Sequence, residues 1–187
     1  MKYLIVGLGN IGQEYVHTRH NIGFDVADAL AKTLEAPFTS DRKAWKAEGK
    51  FKGRTVVILK PTTFMNLSGE AVRYWLGSLK ISPENLLIVT DDLALPFGTL
   101  RLRPSGGAAG HNGLTSIIEC LGNERFARLR FGIGNDYPKG RQADYVLGHW
   151  KAEEAAALPA RVDTAVEIAK AFVGVGIQAA MNAYNNK

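Results

Sequence analysis

Tyr3-Leu4-Ile5-Val6-Gly7-Leu8-Gly9-Asn10-Ile11-Gly12 opens with a short apolar run that breaks into glycines. The run reads as a buried strand and the glycines as the turn that leaves it. Letter for letter, Gly7 to Gly12 also matches the dinucleotide-binding fingerprint. That fingerprint needs a helix to begin inside the motif, so that its N-terminus meets a pyrophosphate. It also needs an acid at the end of the second strand, about twenty residues on. Gln13 to Arg19 carries no apolar helical stripe, and the acids in the window, Asp28 and Glu35, fall in or just beyond the helix that follows. A nicotinamide oxidoreductase is therefore the weak reading. The glycines are expected to let the turn pass close to a substrate and to place Asn10.

Similar strand signals recur at residues 55–59 and 86–89, and less regular ones at 46–51, 99–103 and 128–132. Helical patterns separate several of them. Val26, Ala27, Leu30, Ala31 and Leu34 share one helical face, with Asn21 as N-cap. Val72, Tyr74, Trp75, Leu76 and Leu79 mark a second helix, with Ser68 as its cap. A third spans 113–121, and the alanine-rich stretch 153–172 predicts a long terminal helix that Pro159 bends or starts. Gly174 and Gly176 weaken its continuation toward Tyr184. Strands alternating with helices predict an α/β layered fold, a single domain over 1–187 with a central, largely parallel mixed sheet flanked by helices.

With 187 residues, 46% apolar and 22% charged, the chain is an ordinary globular protein and not a disordered or collagenous one. The opening apolar run is too short for a signal-peptide core, and no stretch reaches the roughly 20 apolar residues of a membrane span. The one cysteine, Cys120, sits in an apolar setting and is expected to be a core thiol, which fits a reducing cytoplasm. A net charge of +5 favours acidic partners, nucleic acid first.

In α/β sheets ligands bind beyond the carboxyl ends of the strands. Asn10 and His20 follow the first strand, Asn66 follows the 55–59 strand, and Asp91 follows the 86–89 strand. Polar groups from separate strands are thereby expected at one sheet edge. A histidine that titrates near neutrality and is steered by a carboxylate can take a proton from water, which makes His20 and Asp91 the candidate catalytic pair. Of the adjacent Asp91 and Asp92, one is expected to face the site, namely Asp91. Ser105 to Gly113 is a Gly/Ala loop entering a helix, without the Lys-Ser/Thr ending of a P-loop. Arg101 and Arg103 precede it, and Arg128 and Arg130 follow. Arginines at alternate strand positions share a face and suit a phosphate clamp. No Gly-x-Ser-x-Gly elbow is present, so base-activated water is preferred over a covalent nucleophile. His17 and His20 alone do not make a metal site, since no Cys or Glu cluster joins them and His111 and His149 are remote in sequence.

With these residues in view, the chain resembles bacterial peptidyl-tRNA hydrolases over its whole length. The resemblance rests on Val6-Gly7-Leu8-Gly9-Asn10, Thr18-Arg19-His20-Asn21, Lys60-Pro61-Thr62-Thr63-Phe64-Met65-Asn66-Leu67-Ser68-Gly69, Asp91-Asp92-Leu93, Gly110-His111-Asn112-Gly113-Leu114 and Arg128-Leu129-Arg130-Phe131-Gly132-Ile133-Gly134, in that order. It implies hydrolysis of the ester joining a peptide to the terminal ribose of tRNA, recycling tRNA from aborted translation, in a cytoplasmic monomer without cofactor or metal. His20 would be the base and Asp91 its orienting partner. Asn10, Asn66 and Asn112 would hold the peptide backbone and the attacked carbonyl, with His111 counted among the substrate-binding residues. Tyr15, Phe64 and Met65 would line the site near the ester and terminal nucleotide. Arg103 and Arg130, assisted by Arg101, would clamp the tRNA 5′-phosphate. Two departures stand out: Ile11 where the family commonly has proline, and Ala94 where an acid is common. A non-catalytic RNA-binding relative is the alternative, which retention of His20 and Asp91 disfavours.

Overall fold

The structure is a computed structural model and describes Met1–Asn186. In chain order its first half comprises β1 (Lys2–Gly7), α1 (Ile22–Thr33), β2 (Thr39–Asp41), β3 (Ala44–Phe51), β4 (Arg54–Pro61) and α2 (Ser68–Leu79). The second half comprises β5 (Leu86–Asp92), β6 (Leu100–Arg103), α3 (Asn112–Leu121), β7 (Ala127–Gly132), α4 (Gln142–Val146), α5 (Ala152–Val175) and α6 (Ile177–Tyr184). All strands join one seven-stranded sheet in the order β2-β3-β4-β1-β5-β7-β6. The inner strands β4, β1, β5 and β7 run parallel, while β2, β3 and β6 add antiparallel edges.

Apolar runs form the parallel centre because those strands are buried on both faces. Alternate residues serve opposite layers. Ile5, Val56, Ile58, Leu87, Val89, Leu129 and Phe131 pack with Val26 and Leu30 of α1 and Ala169 and Phe172 of α5. Leu4, Val6, Val57, Leu59, Leu86 and Ile88 pack with Val72 and Trp75 of α2 and Ile117 of α3. Among the described residues no helix is long and apolar enough to cross a membrane.

The opening glycines do a different task from the one expected. A Cβ at Gly7 would lie 2.0 Å from the Gly23 carbonyl oxygen, and one at Gly9 would lie 2.8 Å from the Phe24 ring. They let α1 seat directly on the end of β1, so close helix–strand packing explains them. Other local expectations need correction too. Asn21 precedes α1 but makes no capping bond there. Its amide is engaged by Asn10, as described below. Ser68 is the first residue of α2 rather than its cap, and its hydroxyl donates to the Met65 carbonyl at 2.7 Å. Cys120 is half-buried, not a core thiol. Pro159 lies inside α5, and the chain breaks only at Gly176, whose φ of 91° ends one helix and starts the next.

One half-buried carboxyl has a measurable consequence. In the first turn of α1, Asp25 Oδ1 meets His17 Nδ1 at 3.0 Å, while the buried Oδ2 has no hydrogen-bond partner among the described residues. Burial pushes the carboxyl up to about 6, against the opposing pull of His17. A carboxyl raised in the folded state binds more protons than in the unfolded chain, so stability falls as pH rises from about 4 to about 6. Asp25→Asn is therefore expected to stabilise the fold by about 1–2 kcal/mol at pH 7.5 and to lose that advantage below pH 4. Thermal melts of both proteins across that range test it, and an Asn variant less stable at pH 7.5 contradicts it.

Candidate active site

Three strand ends supply the site, as the open α/β sheet predicts. β5 carries Asp91 at the sheet edge. The Arg19–Asn21 turn before α1 carries His20, and the turn that precedes α3 carries His111. Asp91 is 4% exposed and accepts from both imidazoles: His20 Nδ1 lies 2.7 Å from Oδ2 and His111 Nε2 lies 2.8 Å from Oδ1. Burial pushes the Asp91 carboxyl up. The two imidazoles, His111 and then His20, outweigh burial and hold it well below the ordinary carboxylate range. For His20, burial lowers the affinity for a proton, but the adjacent Asp91 charge wins and raises it above the ordinary imidazole value of 6.5.

The hydrogen bonds fix both tautomers. An ionised Asp91 requires hydrogen on His20 Nδ1, which leaves the Nε2 lone pair free, and among the described residues nothing bonds to it. His111 caps α3: its Nδ1 accepts the backbone N–H of Gly113 at 3.0 Å and of Leu114 at 3.3 Å. The hydrogen of His111 is therefore on Nε2, directed at Asp91 and at Thr90 Oγ1, 2.9 Å away. His111, remote from His20 in sequence, is expected among the substrate-binding residues. The fold brings the two rings to 5.1 Å between centroids on one carboxylate. Only tertiary structure reveals that, although a histidine just before an apolar helical run is itself a cap signal. His20, Asp91 and His111 are also the one group whose potential ligand atoms lie within 4.8 Å of one another among the described residues. The hydrogen bonds already account for that closeness.

A cavity of about 990 Å³ opens beside this cluster. Its walls include His20, His111, Asn112, Arg103, Arg130 and the 105–110 loop. Asn10, Tyr15, Phe64, Met65, Asn66 and Arg101 do not line it. Asn10 is 9% exposed, and its Oδ1 accepts the Met65 N–H at 2.8 Å. Its backbone exchanges two bonds with the Asn21 amide, so Asn10 has only its own Nδ2 to offer a ligand. Asn66 and Asn112 are exposed, with uncommitted amides. Tyr15 is half-buried and Phe64 is 56% exposed. Met65 departs from expectation: it is 4% exposed, and a Cβ at Gly113 would lie 2.7 Å from its sulfur. It therefore supports the first turn of α3 from behind rather than lining the site.

A second surprise is the strap that holds the His20 turn. The Arg19 guanidinium lies 4.1 Å over the Tyr145 ring and donates to the Tyr145 carbonyl, and its backbone N–H donates to Gly148. Thr18 bridges to His149. Segment 145–149 carried no sequence signal for the site, because its contribution is one aromatic ring and backbone groups.

A parallel-centred sheet, a cavity beyond its strand ends and a carboxylate-held imidazole on that cavity together define an α/β enzyme. The chain belongs to the peptidyl-tRNA hydrolase family, whose model matches residues 4–187. It is 58% identical to the peptidyl-tRNA hydrolase of Phocaeicola vulgatus and 53% identical to that of Cytophaga hutchinsonii, each over 100% of both chains. The crystal structure of peptidyl-tRNA hydrolase from Acinetobacter baumannii superposes with a TM-score of 0.91 at 37% identity, covering 97% of this chain and 95% of that one.

Proposed function

We propose that this protein hydrolyses the ester between peptide and tRNA in peptidyl-tRNA, with His20 as the base that activates water. Family membership supports the reaction. The single observation that supports the mechanism is the 2.7 Å bond from His20 Nδ1 to the buried Asp91, with Nε2 left free on the cavity. Water gives its proton to Nε2 and attacks the ester carbonyl. The tetrahedral intermediate collapses, the acyl–oxygen bond breaks, and the His20 proton passes to the departing ribose oxygen. Asp91 keeps the tautomer and stabilises the imidazolium. The uncommitted amides of Asn66 and Asn112, with Asn10 Nδ2, are suited to the peptide backbone and the developing oxyanion, since an amide offers donor and acceptor together. Tyr15 and Phe64 are left for the ester and the terminal nucleotide. Arg103 and Arg130 face the cavity as the 5′-phosphate clamp, with Arg101 beside them. The same family resemblance carries the remaining reading, a cytoplasmic monomer that needs no metal.

The test is release of labelled peptide from an N-blocked aminoacyl-tRNA, followed against pH. The base works only when neutral, and Asp91 raises its proton affinity. The rate is therefore expected to climb with pH, with a midpoint above 6.5, and to survive a chelator. A rate that is flat from pH 5 to 8 would sink the His20 mechanism. Binding of tRNA without any release would move the protein to the non-catalytic class.

A further inference from the structure

β5 ends in adjacent carboxylates whose side chains diverge. Asp91 turns to the imidazoles. Asp92 turns to Arg130, whose Nε donates to its Oδ2 at 2.6 Å. The other oxygen of Asp92 accepts the Ala94 N–H at 2.7 Å, so both ends of the carboxylate are fixed. This pair sits within a larger basic face. On the antiparallel β6–β7 pair, Arg101 lies opposite Arg130 and Arg103 lies opposite Arg128, which puts all four side chains on one side of the sheet. Arg128 is 2% exposed and donates to the carbonyls of Phe126, Gly107 and Glu124. Among the described residues Arg101 and Arg103 donate only to the carbonyl of the residue before each. Among the described residues Asp92 is the one carboxylate within 4.0 Å of any of the four.

We infer that Asp92 makes this clamp selective for a terminal phosphate over the internal phosphodiesters of the same nucleic acid. The inference rests on the reading of Arg103 and Arg130 as the 5′-phosphate clamp. Engaging Nε from behind leaves the two terminal amino groups of Arg130 free, and they make no hydrogen bond among the described residues. They form a paired edge that fits two oxygens of one phosphate. Asp92 also subtracts one charge from the face. A terminal monoester carries nearly two charges and three free oxygens, and it overcomes that subtraction. An internal diester, with one charge and two free oxygens, gains less from the clamp. Without Asp92 the face would hold any phosphate, with Arg130 no longer aimed.

The experiment compares KM for one N-blocked aminoacyl-tRNA bearing a 5′-phosphate with KM for the same molecule bearing a 5′-hydroxyl. The ratio is read within each enzyme, so a partly folded preparation lowers both rates and leaves it unchanged. For the wild type the hydroxyl substrate is expected to have a KM about tenfold higher, the worth of one charge-assisted contact. In Asp92→Ala and Asp92→Asn the ratio is expected to fall to within about twofold, and adding Asp92→Ala to Arg130→Ala should lower it no further. A wild-type ratio of one overturns the clamp reading and this inference with it. A tenfold wild-type ratio that both Asp92 variants keep overturns the inference alone, as does a further fall in the double variant.

Discussion

Alanine at position 20 is expected to lower kcat/KM for peptide release by about a thousandfold while tRNA affinity stays within about twofold of the wild type. The expectation follows from what remains after the ring is removed. The nearest other imidazole is His111, and it cannot substitute. Its Nδ1 lone pair is held by the Gly113 and Leu114 amides, and its Nε2 hydrogen points at Asp91. No lone pair of His111 faces the cavity. Asp91 itself is 4% exposed and would still accept from His111, so the carboxylate is not left unpaired. Because the basic face on β6 and β7 does not involve His20, RNA binding should persist. Single-turnover release and filter binding on one preparation separate the two quantities. A variant that keeps a tenth of the wild-type rate places the base elsewhere. A variant that loses binding as well as turnover makes His20 a structural residue.

Most of the fold was legible because its centre is buried on both faces. β1, β4 and β5 are nearly continuous apolar runs, and α1, α2 and α3 carry apolar residues at helical spacing, so period and length decide the assignment. What escaped has physical reasons. β2 is a three-residue, fully exposed edge strand, so no burial pattern writes it into the sequence. α4 has five residues and one buried side chain, too few for a periodic signal. Pro159 sits inside α5, where a break is normally expected, and the turn before it is largely exposed, so no burial pattern marks the helix as continuous there.

The site was legible in its residue types and only partly in its roles. Asn, His and Asp after apolar strands have no business in a core, and that is enough to single out Asn10, His20 and Asp91. Roles depend on which hydrogen-bonding groups the scaffold has already engaged, and that is invisible in one dimension. The amide oxygen of Asn10 holds the Met65 backbone. Arg128 and Arg130 alternate on one strand and look equivalent, yet one is bound to three carbonyls and the other presents free nitrogens to the cavity. His111 and His20 are 91 positions apart and share a carboxylate because β5 ends between the two turns that carry them.

That shared carboxylate makes Asp91→Asn a sharper probe than a simple loss of charge. Both oxygens of Asp91 receive an imidazole N–H, at 2.7 and 2.8 Å. An asparagine has one oxygen and one NH2 group, so one imidazole must face a donor with a donor. His111 cannot turn its tautomer over, because two backbone amides point at its Nδ1. The adjustment therefore falls on His20: its hydrogen moves to Nε2, and the lone pair that should take the water proton is gone. The expected loss in kcat is about 10²- to 10³-fold with little change in KM, smaller than for His20→Ala because a minor tautomer still reacts. Asp91→Ala should lose less than Asp91→Asn, since a cavity water can accept from His20 where an amide NH2 cannot. Both variants should also move the midpoint of the pH–rate curve downward, as the charge that raised His20 is removed. Stability carries an independent signature. Asp91 is depressed in the folded state, so its contribution is complete above the ordinary 3.8 and is lost as pH falls below that value. The deficit of Asp91→Asn in a thermal melt, about 2–3 kcal/mol at pH 7, should accordingly grow as pH falls through 6.5, where the wild type gains the raised His20, and shrink only below about pH 4. Equal kcat for Asp91→Asn and the wild type, or an alanine variant slower than the asparagine one, would show that the tautomer of His20 is not set by this carboxylate.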